Sequence, residues 1–149
     1  MAAIDARLTA PTRPIVKLCL EHAPTAPSVE RIAARVGVSR KTVALRLAVD
    51  RLPPASELVG WGRMLFAGRL LEDMGRPVEQ IAFALGFQSG TALRHMLQRY
   101  TGLRAAQVRA QGGYKAVLPI FVASLASSAA PALAAAGAHH QRVTLCHDW

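Results

Sequence analysis

The apolar positions of this chain fall into short runs of helical period, each closed by glycine or proline. "IVKLCLEHA" follows "TAPTRP", and Pro14 suits the first turn of a helix, where its missing N–H costs nothing. In "VERIAARVG", Ser28 can act as N-cap, Ile32, Ala33 and Val36 share one face, and Gly37 suits a left-handed helix end. Ser39 can cap "RKTVALRLAV", which must stop before Pro53 and Pro54. Residues 56–74 read as a longer helix that Gly75 ends, apolar nearly all round through Leu58, Val59, Trp61, Met64, Leu65, Phe66, Leu70 and Leu71. A helix with no polar face is buried between other elements. Gly60, Gly62 and Gly68 inside it each cost about 1 kcal/mol relative to alanine, which close packing has to offset. Pro77 opens "VEQIAFAL", Gly86 closes it, Ser89 caps "GTALRHMLQRY" and Gly102 closes that. A last short helix over 105–111 runs into Gly112–Gly113. The pattern predicts seven helices before residue 113 and no strand, an all-α fold.

The two halves of that pattern resemble each other. "VERIAARVG" at 29–37 aligns with "VEQIAFALG" at 78–86, at an offset of 49 residues. Beyond the glycines the offset becomes 50: Ser39 matches Ser89, Val43 matches Leu93 and Leu47 matches Leu97. One residue has entered the second turn, and the apolar spacing resumes behind it. Each unit is a short helix, a tight turn containing glycine, and a second helix with exposed basic residues. That is the helix-turn-helix pattern, in which the first helix braces and the second presents its solvent face to a major groove about one helix wide. Ile81, Phe87, Leu93, Leu97, Val43 and Leu47 are core by spacing, and Trp61 is assigned to the core rather than to a stacking platform.

Charge names the class of partner. The 149 residues carry 18 Lys+Arg against 9 Asp+Glu, a net charge of +9, with a pI near 11.0. Such an excess points to an anionic partner, nucleic acid or an acidic membrane surface. No acidic residue lies between Glu79 and Asp148, while Arg94, Arg99, Arg104, Arg109, Lys115 and Arg142 do. Cys19 and Cys146 do not make a disulfide framework, and the N-terminus shows no apolar signal core, so a reducing cytoplasm is the expected compartment.

The stretch Ile81–Ala82, Gly86–Phe87, Ser89, Thr91, Gly102 and Arg109 resembles the DNA-binding domain of AraC/XylS-type transcription regulators. The resemblance runs over about 14–111 and includes "WGRMLFAGRLLEDMGRPVEQIA" as the family's connecting helix. Leu93 and Leu97 replace two aromatic residues of the family pattern, His95 stands at an arginine position, and Ala105 and Val108 replace a proline and a tyrosine. It implies an all-α, homeodomain-like fold of two helix-turn-helix subdomains joined by a long central helix. The corresponding segments are an N-terminal segment 1–13, a first subdomain 14–54, a linker helix 55–75, a second subdomain 76–112 and a poorly ordered, Ala-rich, low-complexity tail 113–149. It also implies a bacterial, sequence-specific transcription regulator whose partner is double-stranded DNA, with RNA polymerase as a second candidate partner. The two recognition helices would then sit about one DNA turn, roughly 34 Å, apart.

Carried over position by position, the groove-facing residues of the second unit are Gly90, Thr91, Arg94 and His95, with Gln98 and Arg99 at or near the backbone edge. Arg94 is the candidate partner of a guanine, and Ser89 caps its helix and touches phosphate. In the first unit Arg40, Lys41 and Thr42 lie on the first turn of the recognition helix and Arg46 one turn on. Arg40 and Arg46 are assigned to phosphate and Lys41 to a base. Ala44 and Leu45 stand where family members place polar base contacts, so the second unit is expected to carry more of the specificity.

The uncharged stretch 116–138, "AVLPIFVASLASSAAPALAAAGA", has the length of a membrane span. Pro119, Pro131 and its weakly apolar Ala/Ser content favour a short helix packed on the domain, followed by a disordered end. His139, His140, Cys146 and His147 match no standard zinc spacing, so no metal, cofactor or catalytic residue is expected. No effector-binding domain is visible. The rival readings are a DNA-binding fragment or non-specific binder, a basic interaction or membrane-associated module, and a repair enzyme with a reactive cysteine.

Overall fold

The structure, a computed structural model, describes residue 4 and residues 6–138, with side chains as far as residue 128. Helix α1 spans Arg13–Glu21 and leads through a 3-10 turn, Ala23–Thr25, to α2, Val29–Val36, and α3, Arg40–Val49. The central helix α4 spans Ala55–Leu71. Then come α5, Val78–Ala84, α6, Gly90–Thr101, α7, Ala105–Ala110, and α8, Tyr114–Ala138. The described residues form an all-α bundle with no strand, in which two packing clusters, α1–α4 and α4–α8, share α4. The seven helices expected before residue 113 are present.

The predicted caps form for the predicted reasons. Ser28 Oγ accepts the Arg31 N–H at 3.3 Å, Ser39 Oγ the Thr42 N–H at 3.1 Å and Ser89 Oγ the Ala92 N–H at 3.2 Å. Gly37 and Gly102 end their helices at φ of 73° and 71°.

The central helix is buried nearly all round, and its glycines are where neighbours come closest. A Cβ on Gly62 would stand 2.5 Å from the Ala23 Cβ and 3.1 Å from the Leu20 carbonyl oxygen. One on Gly60 would enter the Tyr100 ring, and one on Gly68 would lie 3.0 Å from Val117 and 3.1 Å from the Gly113 carbonyl oxygen. The three glycines therefore seat α1, α6 and α8 against α4. Trp61 is buried, edge-on to Tyr100 at 5.0 Å between centroids and 5.4 Å from Phe121. It is a core anchor, as its spacing predicted.

Two features differ from the sequence reading, and a third, at the N-terminus, lay outside it. The central helix stops at Leu71, three residues before Met74. The Arg109 guanidinium donates to the carbonyls of Asp73 at 2.9 Å and of Met74 and Arg76 at 2.8 Å, so these carbonyls turn to it instead of extending a helical ladder. At the other end, Ile4, Leu8 and Thr12 are buried in the core, and Thr9 donates its N–H to Asp50 Oδ2 at 2.9 Å, fastening the N-terminal segment to the end of α3.

The second difference is the larger. Where a short helix and then a poorly ordered tail were expected, α8 runs 25 residues from Tyr114 to Ala138. Tyr114, Val117, Leu118, Phe121 and Leu125 recur at helical spacing and pack on the core, with Val117 and Phe121 fully buried. Gly113, at a φ of 60°, turns the chain onto α4 where a side chain would strike the Gly68 carbonyl. No helix among the described residues is long and apolar enough to cross a membrane. His139, His140, Cys146 and His147 lie outside the described residues, among which no group of three or more candidate metal ligands occurs.

Candidate nucleic-acid interface

The two helix-turn-helix units are built alike. In the first turn, the Gly37 N–H donates to the Ala34 carbonyl at 3.2 Å and the Val38 N–H to the Ala33 carbonyl at 3.0 Å. In the second, the Gly86 N–H donates to Phe83 at 3.1 Å and the Phe87 N–H to Ala82 at 2.9 Å, the same two bonds 49 residues on. Gly86 adopts a φ of 71°, open to glycine without strain, and this reverses the chain within a few residues. Val38 and Phe87 then tuck against the core behind the turn.

The recognition helices match as closely. The order of buried, half-buried and exposed positions at 41–50 repeats position for position at 91–100. Val43 and Leu47 face the core in α3, and Leu93 and Leu97 in α6. The outward stripe, at i, i+3, i+4 and i+7, is Lys41, Ala44, Leu45 and Ala48 in α3, but Thr91, Arg94, His95 and Gln98 in α6. One geometry therefore presents two chemistries. The α6 stripe is polar with an arginine, whereas beyond Lys41 the α3 stripe is apolar, with Leu45 56% exposed and Val49 beside it 74% exposed.

The site residues expected from the sequence fall into four groups, with Arg94 in both the first and the last. Lys41, Thr91, Arg94, His95, Gln98 and Arg99 are exposed on the outer faces of their helices. Ser89 and Thr42 are committed to the helix starts. Ser89 is the cap of α6, and the half-buried Thr42 shares its hydroxyl with Ser39 Oγ at 2.9 Å. Arg46 is half-buried, its Nη1 3.4 Å from the Pro11 carbonyl oxygen at the surface, and Gly90 is buried. Arg40 and Arg94 are exposed but paired, Arg40 with Glu30 at 2.9 Å and Arg94 with both carboxylate oxygens of Glu79 at 3.3 Å.

Two arginines outside the expected site residues orient the second unit. Arg63, on the central helix, donates to the Leu85 carbonyl at 2.8 Å and stacks over the Phe87 ring at 3.7 Å. It holds the C-terminus of α5 and the turn that aims α6, and burial pushes its guanidinium below the usual arginine range. A signal was present, since a charge on a helix apolar all round must find a partner there. Arg109 holds the loop before α5, as described above. Arg63→Ala is expected to cost about 1–2 kcal/mol of stability by loss of a charged hydrogen bond and a cation–π contact, read as a lowered urea midpoint.

A family model described as a helix-turn-helix domain matches residues 32–111, more than half of the chain. The chain belongs to the helix-turn-helix domain family. The family is a DNA-binding module without catalytic machinery of its own. Burial pushes the thiol of Cys19 up to about 12. The curated relatives it matches are the HTH-type transcriptional regulator VirS of two Mycobacterium tuberculosis strains, CDC 1551 / Oshkosh and ATCC 25618 / H37Rv. Each is 34% identical over 86 residues, covering 58% of this chain and 25% of the relative. The match thus spans a quarter of those regulators. No solved structure matches the chain.

Proposed function

We propose that this helix-turn-helix protein is a sequence-specific transcription regulator of AraC/XylS type, which sets α3 and α6 into successive major-groove segments of one DNA face. The observation that carries the reading is the repeat itself. Two Ser-capped helices with the same order of exposure stand before and after one central helix in the chain, and the outward stripe of α6 carries Thr91, Arg94, His95 and Gln98. In this reading Arg94 meets a guanine edge, Arg99 and Arg40 meet phosphate, and Lys41 is the base reader of α3. The apolar remainder of the α3 stripe favours contact with thymine methyl groups or plain docking, so α6 carries most of the discrimination.

Selection of bound sequences from a random duplex pool tests this. The expected result is a site of two parts about one helical turn apart, with the stronger base preference in the part read by α6. A pool that remains random after selection overturns the reading in favour of non-specific binding. With about four phosphates neutralised, affinity should fall about a hundredfold between 50 and 200 mM salt.

A further inference from the structure

Each bracing helix carries a glutamate at its second residue, Glu30 in α2 and Glu79 in α5, and each glutamate holds an arginine of the recognition helix. The arginines are not equivalent. Glu30 pairs with Arg40, the first residue of α3. The first residue of α6 is Gly90, and Glu79 reaches past it to Arg94, one turn further along. The position equivalent to Arg94 in α3 is Ala44. The two units have thus exchanged which turn of the recognition helix carries the arginine and which is short, while keeping the carboxylate.

Gly90 makes the second arrangement possible. A Cβ there would lie 2.6 Å from Glu79 Cδ and 3.1 Å from Oε2, so the carboxylate occupies the space a side chain would take. Glu79 Oε1 accepts from Arg94 Nη1 and Oε2 from Nη2, both at 3.3 Å. This end-on pairing leaves the Nε–H and one N–H on each terminal nitrogen, enough for a second bidentate contact along the guanidinium edge. Both side chains remain about half exposed, so the pair is accessible from the groove side.

Resting on the function proposed above, we propose that Glu79 is a specificity-determining residue: it holds Arg94 for a base edge and repels phosphate, and Gly90 is the gap that admits it. An arginine on an exposed helix face binds any phosphate within reach, which adds affinity without information. A carboxylate across both terminal nitrogens disfavours that use, because phosphate would approach a negative group, whereas the contact of Glu30 with Arg40 runs through Nη1 and leaves the other end of that guanidinium to phosphate. The O6 and N7 of a guanine are neutral acceptors and can take the remaining edge. The first unit lacks the device, since Glu30 is held at the start of α3 and Ala44 has nothing to aim.

Two substitutions test this on the full chain by different routes. Glu79→Gln removes the charge. Gly90→Ala keeps every charge and displaces the carboxylate, the flexible end of a side chain, so the fold has little to resist. Affinities for the selected site, for the site with its preferred guanine replaced, and for an unrelated duplex are measured over a salt series, beside Arg94→Ala. Both variants are expected to bind the unrelated duplex about fivefold tighter, to discriminate less at the guanine, and to steepen the salt slope by about 0.9 as Arg94 takes a phosphate. Neither should change discrimination further once Arg94 is alanine. Wild-type discrimination and slope in both variants, with discrimination lost in Arg94→Ala, overturns the role of Glu79 and leaves the function standing. Wild-type protein that binds all duplexes alike, or Arg94→Ala that discriminates like wild type, overturns the base-reading assignment and this proposal with it.

Discussion

Phe121→Ala is expected to destabilise the protein by about 3–5 kcal/mol, read as a drop in the urea midpoint with the slope unchanged. Phe121 is 0% exposed and packs its ring against Trp61, which in turn meets Tyr100 of the second recognition helix edge-on. The cavity left by truncation cannot close easily. Its walls are α4 and α8, already in contact at Gly68 and Gly113, and that backbone contact fixes their separation. Phe83, 64% exposed on α5, is the control, and its truncation should stay within about 0.5 kcal/mol of wild type. Equal effects at the two positions would show that α8 is not part of the core. The same packing bears on any shortened form of the protein. Removal of residues 113–149 would uncover Trp61 and the Gly68 face of α4, so a loss of DNA binding on truncation would report unfolding rather than a contact.

The contrast between α8 and the helix-turn-helix units shows what was legible beforehand. The units were readable because local chemistry and tertiary packing agree there. Ser28, Ser39 and Ser89 cap, Gly37, Gly86 and Gly102 close, and apolar residues at helical spacing fill the core between them. In the tail the two levels diverge. Alanine, serine and two prolines dominate the composition, which reads as low complexity, yet Tyr114, Val117, Phe121 and Leu125 form one stripe along it. A count of residue types averages over that stripe, whereas its period would have revealed it. The end of the central helix was misplaced for another reason. Nothing near Met74 forbids a helix, and the residue that claims its carbonyl, Arg109, is 35 positions away. The candidate interface divides in the same way. The outward stripes follow from period alone, but the pairing of Arg94 with Glu79 depends on the angle between two helices and on the missing side chain at Gly90.

Arg94→Ala and Arg99→Ala are expected to fail in different ways, although both remove one exposed positive charge from α6. Arg94 belongs to the stripe with Thr91, His95 and Gln98, the face that a helix lying in the groove turns to the base edges. Its loss should remove about 1–3 kcal/mol of discrimination at one base pair, roughly tenfold or more, and little affinity for unrelated duplexes. Arg99 lies beyond that stripe in the last turn of α6, where it borders a depression with Glu57, Trp61 and Tyr100 beside the central helix. In the proposed docking, that is where the groove wall rises toward the backbone. Its loss should weaken binding evenly across sequences and lower the salt slope by about 1. The pair of variants separates reading from docking because net charge changes equally in both, so any difference in sequence preference has to come from placement on the helix. If both weaken all duplexes alike, Arg94 docks on phosphate as Arg99 does. The preference of the protein would then have to arise elsewhere on the same stripe, with His95 and Gln98 the next residues to replace.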